Sequence, residues 1–469
     1  MKKFHYSFIT VLLGLTMSLA ACGGSGDSGE DALPDDSGGS NEAASSDNGN
    51  GGEASEEENN DDTVDTGEVE TSVEATGDED TVLEFWIHQT GEDETNAYIE
   101  RIDAFNEEHD NIHVEAEVII DDGASAYSDS INAALVAGNL PDVMAIDGPY
   151  ISSFADAGVI QPVDDYIDEE TKDEYVNSII EQGTYQDELY SLGAMEASVM
   201  LFYNKDILEE EGIEPASSLD EAWTWDELME NSKQLTTDDR YGLNLFMNEG
   251  VGEWMTFMGA PLLWSNGGAL IADDGSTSDG YLNSPESIEA FEYVESLFEE
   301  GVVSESPSQT QFEEEEAALA LGGPWIAISA EEAGLNWGMM PYPYVGEQVS
   351  PSGSMAYAVT SNAENPEAAA ELMTWMTNEE SSTAVAEVTG MPPGNANAFE
   401  SMEKFDEEPW SIMKEQVLET AKARPTTPAY PVVTDAFAQT FHAAVLGEDI
   451  EEIADQQVSR VERELRKFD

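Results

Sequence analysis

HVEAEVIIDDGASAYSDSINAALVAGNLPDVMAI, residues 113–146, changes its apolar period twice. Residues 113–119 alternate apolar and polar side chains and predict a strand. Residues 125–137 predict a helix closed by Gly138, and residues 142–146, after Pro141, predict a second strand. The preceding stretch follows the same grammar: VLEFWI at 82–87 predicts a buried strand, and a helix follows whose Tyr98, Ile102 and Phe105 share one face. Strand alternating with helix gives a largely parallel sheet with both faces covered, so the fold class is α/β.

Further along, Thr224-Trp225-Asp226-Glu227 makes a capping box. Ser284, Pro285 and Gly301 bracket a long helix with an N-cap, a first-turn proline and a C-terminal glycine. Residues 434–468 are expected to be helical with one break near Gly447, and no internal repeat is visible.

The N-terminus differs in kind. Residues 1–21 hold a basic start (Lys2, Lys3), an apolar run from Phe8 to Leu19 and two small residues, the three zones of a secretory signal peptide. That run is shorter than the about 20 residues needed to span a bilayer. Leu19-Ala20-Ala21-Cys22 resembles the lipobox of bacterial lipoproteins, which implies a diacylglycerol on the Cys22 sulfur. Cys22 is the only cysteine of the 469 residues, so no intramolecular disulfide can form. Two acyl chains suffice for stable anchoring without a transmembrane segment. Residues 23–80 carry 20 acids and no Lys or Arg, with few large apolar side chains. Such a composition cannot offset the entropy of ordering, so residues 22–80 are expected to form a lipidated, disordered acidic tether.

The remaining residues, 81–469, are enough for two α/β lobes. They hold 81 of the 101 acids and 13 of the 15 Lys and Arg, so the acidity belongs to the folded surface as well. A surface of this sign repels nucleic acid and anionic headgroups. It also destabilises the compact state unless salt shortens the Debye length. The expectation is a salt-adapted protein working outside the cell. A calcium role would explain the acids too, but no D-x-D-x-D-G loop occurs.

Five segments appear in an order that resembles one family: NLPDVMAIDGPYISSFADAGVIQPVDDYI (139–167), YSLGAMEASVMLFYNKDILEEEGI (190–213), TWDEL (224–228), GGPW (322–325) and GSMAYAVTSNAENPEAAAELMTWM (353–376). Together they resemble the extracellular solute-binding proteins of ABC importers, of the maltose-binding type. The resemblance implies a two-lobed, periplasmic-binding-protein-like (type II) fold that closes on a solute between its lobes. Its boundaries would be 81–202 and 354–410 for the first lobe, and 203–353 and 411–469, ending in C-terminal helices, for the second. FYNKD (202–206) would be the first crossing and the stretch from Ser354 to Tyr357 the second.

No H-E-x-x-H, G-x-G-x-x-G, P-loop or G-x-S-x-G pattern is present. His109 and His113 stand at i and i+4, a zinc spacing on a helix, but here the stretch runs from a helix end into a strand, so no metal is expected. Paired carboxylates discriminate nothing among 101 acids. No catalytic constellation or cofactor is expected. Aromatic residues say more, because a pyranose offers flat C–H faces and a rim of hydroxyls, and Trp and Tyr supply an apolar body with a polar handle. Trp86 and His88 end the first strand, Asp147 and Tyr150 follow the third, and Trp264 (LLWSNGG) and Trp325 (GGPW) stand beside glycines. Glu196, Tyr357 and Arg424 complete the candidate set, Arg424 being one of few cations. The resemblance implies stacking at Trp325 and hydroxyl contacts at Asp147, Tyr150 and Glu196. A core place for each tryptophan, a solvated acid and a structural ion pair for Arg424 stay open.

The sequence therefore points to a lipid-anchored, monomeric, non-enzymatic receptor on the extracellular face of the membrane. It would capture an uncharged sugar or oligosaccharide and pass it to ABC permease subunits. Two alternatives remain at this point: the same scaffold binding a glycerol phosphodiester or an osmolyte, or an exported enzyme acting on polysaccharide. If the acidic surface is a salt adaptation, the melting temperature should rise steadily between about 0.05 M and 2 M salt as the screening length contracts. A flat profile in differential scanning calorimetry excludes the adaptation.

Overall fold

The computed structural model describes residues 67–68, 81–89, 92–120, 126–308, 310–353 and 355–468. The signal peptide, Cys22, nearly all of the expected tether and Ser354 lie outside the described residues. The strands are β1 (Gly67–Glu68), β2 (Thr81–Gln89), β3 (Ile112–Ile120), β4 (Val143–Asp147), β5 (Ser191–Leu192), β6 (Met200–Asn204), β7 (Tyr241–Asn244), β8 (Ala317–Gly322), β9 (Trp337–Met340), β10 (Ser350–Ser352), β11 (Met355–Val359) and β12 (Ala421–Ala423). A short hairpin joins Thr184–Tyr185 to Glu188–Leu189.

Two sheets organise two lobes. The first has the order β1-β3-β2-β4-β11-β5, and its middle is parallel as the alternating pattern predicts, β2 pairing with both β3 and β4. Along β2 the inward Leu83, Phe85 and Ile87 are buried. Helix Glu92–Glu108 covers this face with Tyr98, Ile102 and Phe105, all buried. The second sheet, β9-β6-β8-β7, is mixed: only β7 and β8 run parallel, because β6 enters from the first lobe and lies antiparallel to both neighbours. The helix after the Ser284 cap, Pro285–Glu299, packs with helices Tyr430–Leu446 and Ile450–Leu465 in the second lobe. The capping box closes as predicted, Thr224 Oγ1 accepting from Glu227 N at 3.3 Å while Glu227 accepts from Thr224 N at 2.8 Å.

Three positions differ from expectation. Gly67 and Glu68, inside the stretch expected to be disordered, pair antiparallel with Val118 and Glu117, using backbone groups that the outer edge of β3 leaves unpaired. FYNKD belongs to the second sheet, with Phe202 and Asn204 already in β6, so the chain passes between sheets upstream, over residues 193–199. Phe399, Met402 and Phe405 share a buried cluster with Met200, Phe202 and Met339, so the chain has returned to the second sheet before the expected boundary at 411.

The passages are tied to one another. Gln416 donates to Ser198 Oγ and Val199 O, both at 2.9 Å, and accepts from Tyr342 N at 2.7 Å. β10 pairs in parallel with β12 beside them. No described helix is long and apolar enough to cross a membrane.

Candidate functional site

A cavity of about 870 Å³ lies where the ends of the first sheet, the passages and two helices of the second lobe converge. β2 ends at it with His88 and β4 with Asp147. The passages contribute Met195, Ala197, Gly353 and Met391, and β11 begins at the cavity with Met355. Opposite stands an aromatic wall from the second lobe. Helix Glu253–Ser265 places Trp254 and Phe257 three residues apart on one face. Trp325, at the first residue of helix Trp325–Ala333, meets Trp254 edge to face at 5.8 Å, and Phe246 meets Trp254 at 6.2 Å. Trp254 Nε1 donates to Leu245 O at 3.2 Å, which fixes its ring while Trp325 stays 43% exposed. A Cβ on Gly323 would stand 2.1 Å from the Trp325 indole, so a larger residue there would displace that ring.

The cavity floor is electrostatic. Arg424 reaches Asp147 with both terminal nitrogens, at 3.3 and 3.2 Å, and Glu253 with Nη1 at 2.5 Å. Glu253 also accepts from Tyr430 and, at 2.6 Å, from Thr434 Oγ1, and Tyr150 Oη approaches it at 3.5 Å. Asp147 belongs to the first sheet and Glu253 to the second lobe, so the guanidinium spans the two. Burial pushes the Glu253 carboxyl above its ordinary range; Arg424 pulls against that rise and Asp147 adds to it. Burial alone would weaken the charge on Arg424, but Asp147, Tyr430 and Glu253 hold its proton more tightly than usual. The guanidinium also lies over the Phe257 ring at 4.7 Å.

Of the nine candidates, His88, Asp147, Trp325 and Arg424 line this cavity. Tyr150 stands behind them, edge to face with Tyr430 at 5.3 Å. Trp86 is half-buried against the first-lobe core. Trp264 is buried in its helix under the Lys422 ammonium, 5.1 Å from the ring, rather than in a loop. Tyr357 is core as well, packed edge-on against Phe85 and Tyr98 because its strand is interior to the sheet. Trp325 opens a helix instead of lying in a loop. The sequence reading missed Glu253, Trp254 and Phe257; the signal was Gly250 and Gly252 leading straight into Glu-Trp-x-x-Phe. It also missed Phe246 and Met391, which carry no local pattern.

Glu196 has a different place. It is fully buried and accepts from Ala197 N at 3.0 Å, Ser352 Oγ at 3.2 Å, Gly353 N at 2.6 Å and Ser178 Oγ. It thereby joins the passage at 193–199 to the one through β10. Burial raises its carboxyl above the ordinary range, with those four donors pulling it back.

The family model for bacterial extracellular solute-binding proteins matches residues 91–383. The chain is similar to the maltodextrin-binding protein MdxE of Bacillus subtilis, 28% identical over 325 residues, 66% of this chain and 73% of that protein. It is also similar to a maltooligosaccharide ABC transporter solute-binding lipoprotein of Streptococcus pneumoniae, 24% identical over 290 residues, 59% of this chain and 66% of that one. The cyclic alpha-maltosyl-1,6-maltose binding protein of Arthrobacter globiformis superposes with a TM-score of 0.69 at 25% identity, covering 83% of this chain and all of that one.

Glu196→Ala should destabilise the fold by about 2 to 4 kcal/mol, because it orphans two buried backbone N–H groups and two hydroxyls. Urea titration measures it. A loss under about 0.5 kcal/mol would mean that the passages hold without this carboxylate.

Proposed function

Because the chain belongs to the bacterial extracellular solute-binding protein family, we propose that its cavity takes an uncharged sugar or oligosaccharide and that the loaded form delivers it to the permease of an ABC importer. The observation that carries this reading is the pairing of an aromatic wall with a polar floor across one cavity. Phe246, Trp254, Phe257 and Trp325 offer faces for pyranose C–H groups, while Asp147, Glu253 and Thr389 offer partners for hydroxyls. Solute touching both sides favours the closed arrangement by its differential affinity, which is how binding becomes a signal to the transporter. The relatives' named ligands, maltodextrin and maltooligosaccharide, support the same class. A phosphodiester would want several free cations. The single cation in the cavity lining is already engaged by two carboxylates, so that alternative is not favoured. The relatives are binding proteins, which favours a receptor over an enzyme.

The reading includes the lipid anchor at Cys22. Cys22→Ser should remove fatty-acid label and membrane attachment while the secreted chain keeps its ligand affinity. Label retained on that variant would overturn the anchor.

A thermal-shift panel of neutral mono- to tetrasaccharides tests the solute class, since a ligand at 100 times its Kd adds about 2.7 kcal/mol of stability. On the best ligand, Trp325→Ala should cost about 2 to 4 kcal/mol of binding, roughly 30- to 1000-fold in Kd. With 43% of the residue exposed, its melting temperature without ligand should barely change. A lowered melting temperature with the ligand shift intact would assign Trp325 to packing.

A further inference from the structure

Among the described residues Arg424 is the only Lys or Arg in the cavity lining, which also holds five carboxylates: Asp93, Glu94, Asp147, Glu253 and Glu332. Its side chain is 3% exposed. Asp147 takes both terminal nitrogens and Glu253 takes Nη1 again; Nε is buried with no partner among the described residues. An acidic ligand reaching this floor would find the guanidinium faced by two carboxylates and would meet the Glu253 charge beside it. Resting on the sugar reading above, we infer that Glu253 sets the charge selectivity of the cavity: it masks the one cation that could receive an acidic sugar, and so restricts the site to neutral ones.

The surroundings make the inference testable by a change of charge without a change of shape. Oε1 of Glu253 accepts from both Arg424 and Tyr430, and an amide oxygen can keep both bonds. Oε2 accepts from Thr434 Oγ1, and that hydroxyl lies 2.8 Å from Thr256 Oγ1. In Glu253→Gln the amide nitrogen can donate to Thr434, which turns its own proton to Thr256. Of the donors that Glu253 receives, only Tyr150 Oη, 3.5 Å from Oε2, loses its acceptor, and Arg424 then faces one carboxylate in place of two.

The experiment is calorimetric titration of the full secreted chain in about 1 M salt, where surface charge is screened beyond about 3 Å. The probes are maltotriose and its three counterparts, each with one sugar oxidised at C6 to a glucuronate. Wild type should bind maltotriose at least about 100-fold more tightly than any counterpart, a difference of about 2.7 kcal/mol. In Glu253→Gln that ratio should fall at least tenfold for one counterpart. Glu299→Gln, which removes an exposed charge outside the cavity, should leave it unchanged. An unchanged ratio in Glu253→Gln, or an equal fall in Glu299→Gln, overturns the inference. If wild type does not bind maltotriose, the sugar reading fails for that ligand, and glucuronate against glucose decides the charge question instead. Glucuronate binding gained only in Glu253→Gln upholds it, and no gain overturns it. Should Glu253→Gln fail to fold, Asp147→Asn removes the other carboxylate from the same guanidinium and is read by the same ratios.

Discussion

One guanidinium holds the floor of the cavity together. Arg424 is almost wholly buried, and burying a charge costs several kcal/mol unless partners answer it. Two carboxylates from different lobes do so, Asp147 at the end of β4 and Glu253 at the start of its helix. Tyr430, Thr434 and Tyr150 satisfy the remaining lone pairs of Glu253. Once these bonds exist, Asp147 and Phe257 have little freedom, because each touches the same group. Gly353 sits at φ +119, and a Cβ there would fall 3.1 Å from Arg424 Nη2 and 2.4 Å from Gln182, so the close approach requires glycine.

The same economy governs the passages. Glu196 and Gln416 each bridge two of them using nearly all their hydrogen-bonding capacity. A polar group buried at a hinge is costly if left half-satisfied, so these two side chains define a small number of allowed arrangements instead of a continuum. Glu196, expected from the sequence to contact a solute, serves instead as a tie between segments.

The fold was legible because it is written in periods. Alternation in β2 and β3, the helical spacing of Tyr98, Ile102 and Phe105, and the caps at Thr224 and Ser284 are local signals, and tertiary packing reinforced each of them. The cavity lining was legible only where a local signal coincided with a cavity edge, as at Asp147 after its strand and Trp325 after its glycines. Trp264 and Tyr357 failed because the sequence gives an aromatic residue no mark of which face it takes; neighbours from distant segments, Lys422 for one and Phe85 for the other, decide it. Glu253 was invisible among 101 acids, and only its distance to Arg424, 171 positions along the chain, distinguishes it.

Placement also decides which charges matter when salt is high. At about 1 M salt the Debye length is about 3 Å, so exposed pairs such as Lys467–Glu464 and Lys233–Glu300 lose most of their attraction. The Arg424 group is screened far less, because little solvent reaches the guanidinium. A surface crowded with acids and a floor built from one buried cation therefore respond oppositely to the same ions. Salt relieves repulsion over the outside, while the charges on the cavity floor keep their strength.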